Sequence, residues 1–126
     1  MTSTPPYLYL LAEDLYRLGN AEKPRLENVR AQDIQTYERN GLMMVRANGR
    51  GVSIGTEQYL SALNVTGWLW KIPAKTTLPQ GLVIVPDPDP RKTGHFLLCP
   101  MSDMTMDKYK YLLSELALQC ERIRKL

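Results

Sequence analysis

The chain has 126 residues, and its 16 Lys and Arg against 13 Asp and Glu leave a net charge of +3, which suits one domain with an adequate core. Its basic residues are scattered at Arg17, Arg25, Arg30, Arg39, Arg46 and Arg50 and form no stripe, so nucleic-acid binding is not expected. Two cysteines without C-x-x-C spacing and one histidine exclude a disulfide scaffold, a zinc site and a multi-histidine metal centre.

Residues 1–6 are polar, and the apolar run over 7–12 is interrupted by Glu13 and Asp14, so neither a cleavable signal nor a membrane span is expected. The expected setting is a reducing cytoplasm, with any export into a target cell left to a signal-independent machine. Pro5 and Pro6 keep the start extended. Next, Leu8, Leu11, Ala12, Leu15 and Leu18 fit a helical face, whereas Tyr7, Tyr9 and Tyr16 favour a strand, and periodicity alone leaves both open. Gly19-Asn20 ends this segment, and a charged, irregular span with Pro24 follows. Residues 30–34 are a candidate strand, and a polar connection runs from there to the turn dipeptide Asn40-Gly41 before a strand over 42–45.

The stretch over 40–63 reads as strand, glycine-flanked turn and helix. Gly49 and Gly51 bracket Arg50 where the backbone can take positive φ or approach a ligand closely, and Val52-Ser53-Ile54 resumes an extended run. Thr56 is an expected N-cap with Glu57 in the first turn, and Tyr59, Leu60 and Leu63 share a helical face. Ser53 therefore stands where strand gives way to helix, a place suited to a nucleotide's phosphates or ribose. The spacing of Gly49, Gly51 and Gly55 is wrong for a dinucleotide-binding fingerprint, and no Gly-Lys-Ser/Thr follows as in a P-loop. Gly-x-Ser-x-Gly occurs literally over 51–55, but a nucleophile elbow belongs to a larger sheet with a later Asp and then His.

Asn64 and Gly67 stop the helix, and Trp68 to Ile72 form an aromatic strand with Trp68 and Trp70 on one face. A turn at Pro79-Gln80-Gly81 leads into Leu82-Val83-Ile84-Val85, whose unbroken apolar character suggests a central strand covered on both sides. Pro86, Pro88 and Pro90 make the next loop stiff, with Asp87 and Asp89 making it acidic. A further strand begins at His95 and closes at Pro100. Tyr109, Leu112, Leu113, Leu116, Cys120 and Ile123 follow helical spacing after the expected N-cap Thr105, so the basic run over 122–125 reads as a solvated helix end. Cys99 and Cys120 read as core thiols. Short strands with few helices indicate an α+β domain spanning the whole chain.

Several pieces in order resemble the small type VI secretion effector toxins with an ADP-ribosyltransferase-like fold. They are Leu15-Tyr16-Arg17, Arg30-Ala31-Gln32-Asp33-Ile34, Asn40-Gly41-Leu42 ahead of the glycine-rich Ser53 segment, Ile72-Pro73 and Leu78-Pro79. Leu82 to Asp87, His95-Phe96 before Pro100, and Met104-Thr105 with Tyr109 and Leu112 complete the series. The resemblance implies a split, twisted sheet with a nicotinamide adenine dinucleotide (NAD) cleft between its halves. It also implies Arg30, Ser53 and His95 as catalytic positions, Arg17, Arg30 and Ser53 as dinucleotide-binding, and a strand over 14–18; Gly51 of the glycine turn and Tyr59 of the helix beyond it complete the expected binding set. No metal and no membrane belong to this expectation. A cognate immunity protein is the expected partner, and oligomeric state stays open. The glutamate usual on a late strand of such enzymes is absent, and Asp87, Asp89 and Glu57 are the nearest substitutes. With no acid next to His95 in sequence, a hydrogen-bonding role is expected of it, not an acid–base one. Two other readings stand beside the toxin: an RNA 2′-phosphotransferase-like enzyme, and an interaction module docking through Trp68, Trp70 and the proline loop.

Overall fold

A computed structural model describes residues 11–126; the readings that rest on Pro5, Pro6, Tyr7, Leu8 and Tyr9 lie outside them. Strand β1 (Leu15–Gly19) decides the ambiguous first segment. All five of its residues pair antiparallel with a later strand, from Leu15 opposite Ile72 to Gly19 opposite Trp68, and this ladder outweighs the local helical spacing. The candidate strand over 30–34 is instead a single 3-10 turn at Ala31–Asp33. The Asp33 carboxylate causes it by accepting from the Arg30 backbone N–H at 2.9 Å and from its guanidinium at 3.1 Å. The polar connection beyond is itself a strand, β2 (Thr36–Arg39), hairpinned to β3 (Leu42–Val45). Asn40 and Gly41 sit at φ 53° and 78°, as a tight hairpin turn of that twist requires.

The central stretch folds as its residues indicate. Strand β4 (Val52–Gly55) runs into helix α1 (Glu57–Ala62), where the Thr56 hydroxyl accepts from the Tyr59 N–H at 3.1 Å. Then come β5 (Trp68–Ile72), β6 (Leu82–Pro86), β7 (His95–Pro100) and the short β8 (Met104–Thr105), before helix α2 (Met106–Ala117), capped by Thr105. The chain finishes in β9 (Glu121–Lys125).

Two expectations fail here. The basic run is no helix end: α2 stops at Ala117, and Glu121-Arg122-Ile123-Arg124-Lys125 pairs with β5. Exposed, charged and alternating, it caps the sheet as a strand that discourages further pairing. Strand β6 is not central either, since the six-stranded sheet has the order β6-β7-β4-β1-β5-β9. Its apolar run reflects burial of both faces at an edge. Leu82 and Ile84 enter the main core, while Val83 faces Ala47 and Gly49 across a cavity of about 70 Å³.

Strands β2, β3 and β8 form a second sheet, and the whole is an α+β arrangement of two antiparallel sheets and two helices, consistent with the expected transferase fold. Pairing partners share a face, so Val52, Ile54 and Leu98 point to one side, with Tyr109, Leu113 and Leu116 of α2 in the same buried cluster. Ser53, Gly55, His95 and Leu97 point to the other, where α1 stands. Burial pushes the Cys99 and Cys120 thiols up to about 12, and both are free. Cys99 is a buried core thiol, as expected, whereas Cys120 is only partly buried against the core.

Candidate functional site

Register builds the centre of the site. Gly55 lies opposite His95 and Ser53 opposite Leu97, so two strands bring the Ser53 hydroxyl beside the imidazole, with His95 Nε2 and Ser53 Oγ 3.0 Å apart. The hairpin from β6 to β7 pairs Pro86 with Phe96 and thereby sets Asp87 next to His95, whose Nδ1 is 2.6 Å from Asp87 Oδ2. Tyr59 of α1 stacks on the imidazole at 5.0 Å between ring centroids and 22° between planes. The His95 and Asp87 side chains are only 11% and 13% exposed. The Asp89 backbone N–H, the leading cause, acts with His95 to hold the Asp87 carboxyl below its ordinary range against an opposing push from burial.

An ionised Asp87 can only accept, so Nδ1 carries the proton, and whenever Nε2 is unprotonated its lone pair faces the Ser53 O–H. This corrects the expectation that rested on having no acid next to His95: Asp87 meets it in space, and with Ser53 the two make a Ser-His-Asp set. Hairpin register was the signal available: a strand ending at Pro86 and another opening at His95 leave Asp87 opposite the histidine. Ser53 is nevertheless the second residue of strand β4, and no strand-to-helix elbow carries it.

Around this centre lies a cleft of two lobes. The larger, about 480 Å³, carries the cationic side chains Arg17, Arg25, Arg30 and Lys92 along with Tyr59 and the apolar Leu60 and Leu63. The smaller, about 220 Å³, is bounded by Gln32, Asp33, Arg50, Gly51 and Leu97. Arg30, Ser53 and His95 border both lobes. All the residues expected at the site, Arg17, Arg30, Gly51, Ser53, Tyr59 and His95, therefore line one cleft, joined by Arg25 and Lys92, which sequence reasoning passed over.

Their local roles differ. Strands β1 and β4 are paired at Tyr16 and Gly55; beyond that point they part, and Arg17 Nη1 donates to the Ser53 carbonyl at 2.8 Å while Nη2 donates to Arg25 O at 3.0 Å. A guanidinium thus bridges the split where a ladder would otherwise run. Burial lowers the Arg17 pKa, with nearby Asp33 opposing, and its Nε–H is buried without a partner. The Arg30 side chain is 56% exposed and ion-paired with the buried Asp33 three residues on. Gly51 needs no positive φ: a Cβ there would stand 1.9 Å from the Leu98 carbonyl oxygen. The close approach that demands glycine is that of the neighbouring strand.

The substitutes proposed for the missing glutamate separate. Glu57 pairs with Arg124 and Asp89 with Arg91, while Asp87 alone reaches the centre, behind His95. The tryptophans are engaged as well, Trp70 donating its indole N–H to Asn20 O at 2.8 Å and Trp68 lying 4.9 Å beneath the Arg122 guanidinium.

A family model described as Tse2 ADP-ribosyltransferase toxin matches residues 13–124, nearly the whole chain. No curated protein and no solved structure matches it.

Proposed function

Because the chain belongs to the Tse2 ADP-ribosyltransferase toxin family, NAD-dependent type VI secretion effectors that act inside the target cell, we propose that the two-lobed cleft binds NAD as donor substrate and that all 126 residues serve one toxin domain. The observation that carries this is the gathering of four cations and a stacked Tyr59–His95 pair around the Ser53 hydroxyl. NAD supplies an ADP-ribosyl group when its nicotinamide–ribose bond is cleaved.

The residues present fit such a ligand. The orphaned Arg17 Nε–H and the guanidinium of Arg30 suit a pyrophosphate, and the Tyr59–His95 stack gives a flat wall for a ring. Gly51, which borders the smaller lobe, lets the chain entering β4 lie close against β7. Ser53 and His95, at the seam of the lobes, are the groups placed to act on the bond, with Arg30 bordering them. A cognate immunity protein is the expected partner, and neither a membrane nor a nucleic acid is. Among the described residues no helix is long and apolar enough to cross a membrane, and the family's delivery into a target cell supplies the route to the cytoplasm where NAD is met.

Calorimetric titration with intact NAD tests this reading. Binding in the micromolar to millimolar range typical of substrates is expected for the wild type, and a loss of about tenfold or more on Arg17→Ala. Induced expression in bacterial cells should arrest growth, while the Ser53→Ala variant at equal abundance is tolerated. A soluble wild type that binds no NAD sinks the proposal.

A further inference from the structure

Among the described residues bordering the larger lobe there is no carboxylate, and the Asp33 of the smaller lobe is held by Arg30. Asp87 meets His95 at the nitrogen far from Ser53, while its other oxygen accepts from the Asp89 N–H. A carboxylate so placed acts through the imidazole: it fixes the tautomer, stabilises the imidazolium, and leaves Nε2 free to take the proton of the hydroxyl 3.0 Å away. Tyr59 stacked on the ring restrains its tilt, and Ser53 Oγ stands at the boundary of the two lobes. We propose that Asp87, His95 and Ser53 form a proton relay that makes the Ser53 oxygen the nucleophile toward the ribose carbon bonded to nicotinamide, so that the ADP-ribosyl group passes through Ser53 on its way to the acceptor. This rests on the reading of the cleft as an NAD site.

The bookkeeping of the step closes. Ser53 Oγ gives its proton to His95 Nε2 and forms a bond to the ribose carbon, while the carbon–nitrogen bond breaks and its electron pair neutralises the pyridinium, releasing nicotinamide. In the return step an acceptor O–H or N–H, or water, bonds to the same carbon. The electron pair of the Ser53–ribose bond goes back to Oγ, which recovers its proton from Nε2, and the acceptor's proton passes to solvent. Two displacements at one carbon retain its configuration. Ser53 and Tyr59 are substrate-contacting residues in this scheme, and Asp87 is a positioning residue.

The test supplies NAD with methanol as a simple acceptor, quenches the wild-type protein in acid during turnover, and examines the Ser53 peptide by mass spectrometry and the methyl product by NMR. Expected are nicotinamide release, an ADP-ribosyl adduct on Ser53, and a methyl glycoside with the anomeric configuration of NAD. Asp87→Asn should bind NAD within about twofold of wild type yet form the adduct about 10⁴-fold more slowly, the size of effect a lost relay acid has elsewhere, and Asp87→Glu should restore part of the rate. Nicotinamide release without an adduct, an inverted methyl product, or a full rate in Asp87→Asn overturns the relay while leaving NAD cleavage standing. If the Asn variant fails to fold, the wild-type adduct and product configuration still decide. Absence of NAD binding by the wild type overturns both readings.

Discussion

His95 is held on three sides, by Asp87, Ser53 and the Tyr59 ring, and each contact bears on what a substitution does. A glutamine can hydrogen-bond to Asp87 or to Ser53 but cannot relay a proton between them. His95→Gln is therefore expected to lose about 10²–10⁴-fold in nicotinamide release, as His95→Ala does, while staying closer to wild type in melting temperature; a glutamine variant with substantial activity would return His95 to the simple hydrogen-bonding role suggested by sequence alone. At Gly51 the expectation reverses in another way. A methyl group there meets the Leu98 carbonyl, so Gly51→Ala should cost at least about 1–3 kcal/mol in denaturant unfolding, and NAD affinity measured on the folded fraction should change little. Equal stability with weakened binding would show that the glycine serves a ligand after all.

Tyr109 is the element-scale counterpart, because one hydroxyl fixes a helix against two strands. It donates to Leu98 O at 2.6 Å and accepts from Val52 N–H at 3.1 Å, bridging residues that face each other across β4 and β7. Burial raises its pKa well above the ordinary phenol value, so it stays a donor at any working pH. Tyr109→Phe should cost about 1–3 kcal/mol by leaving buried backbone groups unpaired, read as a lower denaturation midpoint, and should loosen the register that places Ser53 beside His95; an unchanged midpoint would mean water fills the gap. That hydroxyl was invisible to periodicity, which marked Tyr109 only as an apolar position of α2. The same blindness explains the misread elements. Strand β2 is exposed and carries no apolar alternation, β6 is a covered edge that mimics a centre, and Cys120 and Ile123 continued the helical spacing of α2 by coincidence. Elements marked by punctuation came through: Asn40-Gly41, Thr56, Thr105 and Pro100 each act locally, so their structural effect is written in their neighbours.

At the scale of the molecule the candidate site joins β1, β4, α1 and the β6–β7 hairpin, and its residues lie up to 78 positions apart, from Arg17 to His95. Family resemblance supplied the names of most of these residues, but their distances depend on strand register, which no local pattern states. Asp87 is legible in the sequence as a substitute for the absent glutamate, but its place beside His95 is what that gap hides. Long-range pairing by carboxylates also recurs in the smaller sheet, where Asp103 accepts from the Tyr37 hydroxyl at 2.6 Å and from the Ala47 N–H at 2.8 Å, clasping β2 and the end of β3 to the segment that enters β8. The Tyr37 hydrogen bond, then the Ala47 N–H, holds the Asp103 carboxyl below its ordinary value. For an acid whose folded pKa is depressed, the stabilisation is complete above the unfolded value and disappears as pH falls through the folded one. Asp87 obeys the same sign. The melting temperature should accordingly respond little to these two groups from pH 7 down to about 4, the ordinary carboxylate range, and lose their contribution below it. Asp103→Asn should lower the melting temperature at pH 7 and make the acid fall shallower, because one of the titrating contacts is already gone. A series of melts from pH 7 to pH 2.5 on both proteins measures this directly, and parallel curves would show that the Asp103 clasp contributes nothing to holding the smaller sheet.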